Sequence, residues 1–306
     1  MTASRAPEPP RLRYPVVETA RPSLWRRAVR IWEYRELLSS LTRKEVKVRY
    51  KDSILGFIWT LLNPLMYLVV FSLVFATFLR AAVPLYGLFL LSGLLCWTLF
   101  STGTSAATAS VTGNGSLVQK VWFPREILPL SAVGSALITF FFQLVVLVLA
   151  LVVFQRAPEW EYLPLLVPAL GVTLLWATAL GVLLSALNVL YRDIQHLLEL
   201  LMLAWFWLTP IVYQYDMVVD ELVRRGLPEW IAMLNPFTPV VLVFQRVIYN
   251  PAHELGTEAQ GYFDFMYRGM GWYVMWLTIS GAVAALLLLV AVRVFGSIEA
   301  DFGEEL

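Results

Sequence analysis

Charge is scarce in this sequence. Only 15% of its 306 residues are charged, where a soluble domain carries roughly 25%. The scarcity is also local: of 23 basic and 22 acidic side chains, only Glu199 and Arg293 fall inside the long apolar runs. Net charge is +1, so the chain has no basic field suited to nucleic acid. The single cysteine, Cys96, excludes an intrachain disulfide and a cysteine metal cluster. No Gly-x-x-x-x-Gly-Lys-Ser/Thr run occurs, so a phosphate-cradling loop of that type is missing. The first fifty residues are charged and proline-containing, without the early apolar stretch of a cleavable signal peptide. The long runs almost free of charge exclude a soluble enzyme, a disordered protein and a fibrous protein.

What is present is apolar sequence, 59% hydrophobic with a mean hydropathy of +0.68. Six runs stand out: Leu55 to Leu79, Tyr86 to Ser110, Ile127 to Phe154, Leu163 to Leu190, Leu197 to Tyr213, and Met270 to Phe295. At about 1.5 Å rise per residue each can cross a ~30 Å hydrocarbon core, the fifth only just. Barrel strands would be shorter and alternate in polarity. The expected class is therefore an all-α polytopic membrane protein with six transmembrane helices. Lys and Arg crowd the segment before the first run, from Arg5 to Lys51, and recur as Lys120, Arg125 and Arg192 in alternate connections. By the positive-inside rule both termini are cytoplasmic.

The segment Ile231 to Tyr249 is ambiguous. It is apolar enough to span, yet contains Asn235, Pro236, Pro239 and Arg246. Proline removes a backbone donor, and a broken helix facing lipid would leave polar groups unsatisfied. A re-entrant or interfacial outer element, paired with Met217 to Arg225, is the expectation. The alternative is a kinked seventh span, which would place the C-terminus outside.

Residues 1–23 read as a mobile proline-containing tail, and 24–54 as an amphipathic interface helix before the transmembrane domain 55–306. Tyr34, Leu37, Leu38, Leu41 and Val48 share one helical face, with basic residues beside it. Such a helix suits a membrane surface with anionic lipid headgroups. Glu45 interrupts the stripe. It either pairs with Arg49 at the i, i+4 spacing or contacts a partner subunit.

Four motifs then occur in order. Arg49-Tyr50-Lys51-Asp52-Ser53-Ile54-Leu55-Gly56-Phe57-Ile58-Trp59 precedes Asn63-Pro64. Lys120-Val121-Trp122-Phe123-Pro124-Arg125-Glu126-Ile127-Leu128-Pro129 follows. Asn188-Val189-Leu190-Tyr191-Arg192-Asp193-Ile194 leads to Thr209-Pro210-Ile211-Val212-Tyr213. The last is Asn235-Pro236-Phe237-Thr238-Pro239. Taken together they resemble the membrane subunits of type-2 ABC exporters, in the subgroup that exports O-antigen, capsule and teichoic-acid polymers. The resemblance implies a homodimer of six-span subunits carrying two separate ATP-binding subunits. ATP and Mg would be bound by those partners, with no cofactor in this chain. It also implies short outer gate helices within 214–269 and a bacterial cytoplasmic (inner) membrane location.

The resemblance gives particular residues expected roles. In the cytoplasmic loop 111–126, Gly113, Asn114 and Gly115 form a turn and Ser116 to Lys120 one short helix. Gln119, Lys120, Phe123, Arg125 and Glu126 are the expected ATPase-coupling residues, although ordinary helix-start chemistry also explains a Pro124 and a Glu126 there. Asp193 is expected to cap the fifth span, with Arg192 reaching headgroups, Glu199 or Asp52. Pro64, Pro210, Asn235 and Pro236 are kink and gate positions. Trp59, Tyr67 and Phe71 of the first span and Trp205, Trp207 and Tyr213 of the fifth are candidate pore-lining aromatics. Their rings could stack on sugars without reading a fixed order of hydroxyls; packing in the core or against lipid is the competing explanation for each.

The expected function is the channel subunit of an ATP-driven exporter of a lipid-linked polysaccharide. A drug or lipid exporter is the alternative within the class. A membrane glycosyl- or acyltransferase would need clustered carboxylates or histidine; Asp216, Asp220 and Glu221 are spaced like a solvated helix face. Glu199 lies within one turn of the inner boundary, so no deep carboxylate exists for a proton relay.

Overall fold

The computed structural model describes residues 24–51, 53, 55–56, 58–74, 83–249, 263–299 and 302. The tail 1–23, the end of the first apolar run beyond Val74 and residues 250–262 lie outside the described residues. Among those described there is no strand. The helices are α1 (Leu24–Glu33), α2 (Arg35–Tyr50), α3 (Ile58–Leu73), α4 (Tyr86–Gly113), α5 (Gly115–Lys120), α6 (Ile127–Val153), α7 (Leu166–Leu190), α8 (Ile194–Leu208), α9 (Tyr215–Arg224), α10 (Thr238–Ile248) and α11 (Met270–Ile298). Single 3-10 turns precede α7, α10 and α11.

α4 is the axis of the bundle, with 20 of its 28 residues buried. It packs against α3, α6, α7 and α10, while α7 carries α11 on its other side. Small residues permit this. A Cβ on Gly181 of α7 would stand 2.5 Å from that of Ala107 on α4, so the two backbones can approach only because the position is glycine. The hydroxyls of Ser92, Thr104 and Thr108 are satisfied within α4 by carbonyls three or four residues back. They need no water in an apolar interior.

The apolar runs become helices close to the expected boundaries, with one shortening. Among the described residues, four helical segments are long and apolar enough to cross a membrane: Tyr86–Gly113, Ile127–Val153, Leu163–Leu190 and Met270–Ile298. α3 and α8 are shorter, with 16 and 15 described residues. α8 stops at Thr209-Pro210, because Pro210 cannot continue the hydrogen-bond ladder. Tyr213, expected on the fifth span, instead lies in the connection to α9. α10 has 11 residues, 10 of them buried; at 1.5 Å per residue it is about 16 Å long.

The N-terminal stretch is two helices rather than one, meeting at Tyr34. α2 lies on α6, with Thr42 against Gly134 and Arg49 Nη1 donating to Thr139 Oγ1 at 3.2 Å. Tyr34, Leu37, Leu38 and Leu41 join a second core formed by Val111, Val118, Phe123, Ile127, Leu128 and Phe295. The stripe read from sequence thus has a protein surface to cover. Arg49 is turned to α6, and among the described residues no ion pair joins it to Glu45.

Candidate functional site

Two polar assemblies stand out against the apolar bundle. The first joins the broken end of α8 to the start of α10. Asn235 uses every hydrogen-bonding position of its amide. Its Oδ1 accepts from Trp205 Nε1 at 2.8 Å and from the Phe237 amide at 3.1 Å, while Nδ2 donates to Leu208 O at 3.2 Å and Thr209 Oγ1 at 2.8 Å. Gln245, fully buried in α10, donates to Pro210 O at 3.0 Å. Ser280 of α11 donates to Pro236 O at 2.5 Å and accepts from Trp176 Nε1 at 3.0 Å. The carbonyls freed by two proline breaks are therefore satisfied by side chains. Pro210, Asn235 and Pro236 come together at this elbow, while Pro64 sits apart, buried within α3.

Around this elbow lies an aromatic cluster. The Phe100 and Phe237 rings stack at 4.6 Å, Trp205 meets Phe100 edge-on at 5.2 Å, and Trp97 contacts all three. Trp205 is half-buried and packs on this cluster. Phe71 is half-buried beneath Tyr67 at 6.0 Å and packs on the core. Trp59, Tyr67 and Trp207 do face outward from the single chain, at 55%, 38% and 58% exposure. Tyr213 is half-buried and its hydroxyl donates to Trp207 O at 3.0 Å.

The second assembly surrounds α5. Gln119, Lys120, Val121 and Trp122 are exposed, and Lys44 of α2 donates to Asn114 Oδ1 at 3.4 Å. Phe123 and Glu126 are buried, so neither offers a surface to a partner. Phe123 fills the second core. Glu126 pairs with Arg27 of α1 at 2.5 Å, and although it occupies the cap position of α6 it makes no capping bond. Arg125 donates to the backbone carbonyl of Glu299 at 2.5 Å. Burial, and next the neighbouring Glu126, push the Glu299 carboxyl above its usual range.

Between the ends of α4 and α7 lies a cleft of about 430 Å³ lined by Thr112, Gly113, Asn188, Arg192 and Gln195. Asn188 donates to Thr108 O and Thr112 Oγ1, both at 3.3 Å. Asp193 stands at the cap position of α8 without a capping bond and is exposed. Glu199 is exposed on α8. At the opposite end of the bundle, Asp216 Oδ1 accepts the Phe265 amide at 3.3 Å. Burial pushes the Asp216 carboxyl up to about 7, and Asp264 and Asp220 add to the shift. Among the described residues no group of histidine, cysteine and carboxylate side chains could hold a metal.

Sequence reasoning did not single out Arg27, Gln245, Ser280 or Glu299. Gln245 and Ser280 carried a usable signal, a polar side chain within a largely apolar run. Arg27 was hidden among many arginines.

An all-helical bundle with four segments able to cross a membrane, its helix breaks sealed by side-chain amides, is the architecture of a multi-pass membrane protein. The ABC-2 type transporter family model matches residues 36–249, and the chain belongs to that family. It is similar to an O-antigen export system permease protein of Myxococcus xanthus, 32% identical over 276 residues covering 90% of this chain and 97% of the relative. Two proteins of the same description from Klebsiella pneumoniae are 30% and 29% identical, over 76% and 70% of this chain and 85% and 81% of their own lengths.

Proposed function

We propose that this chain is the membrane-spanning subunit of an ATP-driven exporter that moves an O-antigen-type, lipid-linked polysaccharide outward across the bacterial inner membrane. The observation that carries the reading is end-to-end similarity to an O-antigen export permease, with 97% of that relative covered. The four motifs, from Arg49 to Pro239, lie within the matched region.

In this reading α3 and α8 complete six spans, together with the four longer helices. α10 is a re-entrant element, supported by its short length and its burial on nearly every side. α5 and the exposed Gln119, Lys120, Val121 and Trp122 face the cytoplasm, where a separate ATP-binding subunit docks. The chain carries no phosphate-cradling loop, so ATP and Mg are held by that partner. Two copies assemble through the exposed apolar faces of α3 and α8, presenting Trp59, Tyr67 and Trp207 toward a shared path. Aromatic faces there give a polymer a surface to slide along, while ATP binding shifts the populations of inward- and outward-open states. Asn235 and its neighbours fix the outer elbow around which the gate moves.

The test is made in cells. Deleting the chain should leave lipid-linked polymer on the cytoplasmic side and none at the surface, with recovery on re-expression. Unchanged surface polymer would remove the polysaccharide reading, and a changed drug or lipid tolerance instead would assign the cargo to that class.

A further inference from the structure

Three parts of the chain that are far apart in sequence meet at the first turn of α6. Arg27 comes from α1, Arg125 and Glu126 from the loop after α5, and Glu299 from the end of α11. The Arg27 and Glu126 side chains are only 11% and 6% exposed, with the guanidinium 2.5 Å from one carboxylate and 3.9 Å from that of Glu299. Charges so far from water stay there only while paired, and removing one partner leaves the other uncompensated. The backbone makes room for this contact. A Cβ on Gly296 would lie 2.1 Å from Arg27 Nη2, so any larger residue there would displace the guanidinium from this position. Arg125 meanwhile bonds the Glu299 carbonyl, one of the groups a helix end leaves without a partner. Its guanidinium lies over the Phe302 ring at 5.4 Å, and Phe302 packs edge-on against Phe295 at 5.3 Å.

Arg125 and Glu126 are adjacent, so one short piece of backbone grips both ends of the protein. α2 continues from α1 along α6, and α11 lies along α7. From this geometry we infer that Arg27, Arg125, Glu126 and Glu299 form a clasp that carries the movement of the α5 loop into the N-terminal helices and the end of α11 as well as into α6. The inference rests on the transport reading above. The four residues act as positioning residues: they touch neither polymer nor nucleotide. A static staple would hold the fold but transmit nothing, and the two differ in how export relates to ATP hydrolysis.

The experiment uses the complete transporter with its partner ATPase, measuring export, ATP hydrolysis and the amount of assembled complex. Arg27→Ala should lower export per ATP hydrolysed about tenfold, equivalent to about 1.4 kcal/mol, with assembly retained. The exchanged pair Arg27→Glu with Glu126→Arg should recover most of the loss. Gly296→Ala should reproduce the loss in the otherwise native chain and add nothing in the Arg27→Ala background, because both act on one contact. Should Arg27→Ala fail to accumulate, Arg27→Lys and Glu299→Gln give the same readout with a milder change. Native export per ATP in these variants, or export and hydrolysis falling together in proportion to the folded protein, would overturn the clasp. If the native complex itself moves no polymer, the failure lies with the transport reading on which the clasp depends.

Discussion

α4 and α8 are both apolar helices, yet the molecule treats them in opposite ways. Twenty of 28 residues are buried in α4, against Leu198 and Met202 alone among 15 in α8. α3 resembles α8, with only Thr60 and Pro64 buried. An apolar residue in α4 is matched to another side chain of the same chain. Leu197, Leu200, Leu201 and Leu203 of α8 are more than half exposed. In a membrane such faces are not costly, since lipid is as apolar as leucine. What they meet there is lipid or a second copy. The contrast separates the part of the molecule that holds the fold from the part left available for assembly and transport.

The comparison can be broken most directly at Phe100. Phe100→Ala in the aromatic cluster should cost about 3–5 kcal/mol, seen as loss of folded protein and a lower melting temperature in detergent. A mild effect would mean that the α4 interior does not carry the stability assigned to it. Next comes the elbow. Asn235→Ala strips partners from Trp205 Nε1 and Thr209 Oγ1 and should cost about 1–3 kcal/mol, the range for leaving buried polar groups unmade. Thermal unfolding checks this, and an unchanged melting temperature would show that the elbow is not held by its amide.

The exposed side should behave differently. Replacing Trp59 and Tyr67 together by Ala should shift stability by no more than about 0.5 kcal/mol, as surface substitutions do, while export falls or its polymer preference changes. A loss of stability like that of Phe100→Ala would erase the distinction between the two regions. The most local effect is expected at Asp216. Burial raises its folded carboxyl to about 7 from an ordinary 3.8, against the pull of the Phe265 amide, so the protonated form adds stability to the fold. That stability is full below about 4 and is lost as the pH rises through 7. Hydrogen exchange of the Phe265 amide should quicken over that window beyond its ordinary pH dependence, and Asp216→Asn should remove the excess. Asp264, Asp220, Glu229, Arg268, Tyr215 and Tyr273 are the neighbouring ionisable groups, and the variant separates Asp216 from them.

Hydropathy made most of the helices legible, because runs without charge have few other solutions in a membrane. α4, α6, α7 and α11 begin or end within a few residues of the expected boundaries. The short helix at α5 followed from the turn residues before it. Orientation of side chains was much less legible. Trp205 and Trp207 are two residues apart, yet one is half-buried against the core and the other exposed, a difference set by which neighbour each face meets. The burial of Phe123 and Glu126 was not legible, since their partners Phe295 and Arg27 lie on helices distant in sequence. The clasp was invisible for the same reason: Arg27, Glu126 and Glu299 are 99 or more residues from one another.

The central claim, that this chain is a passage driven by an ATPase it does not contain, is tested most directly in reconstituted vesicles. Purified chain alone should hydrolyse no ATP and move no lipid-linked polysaccharide. Addition of a separate ATP-binding subunit and Mg-ATP should start both together. Hydrolysis by the chain alone at a rate matched to transport, or polymer movement indifferent to the added subunit, would contradict the account.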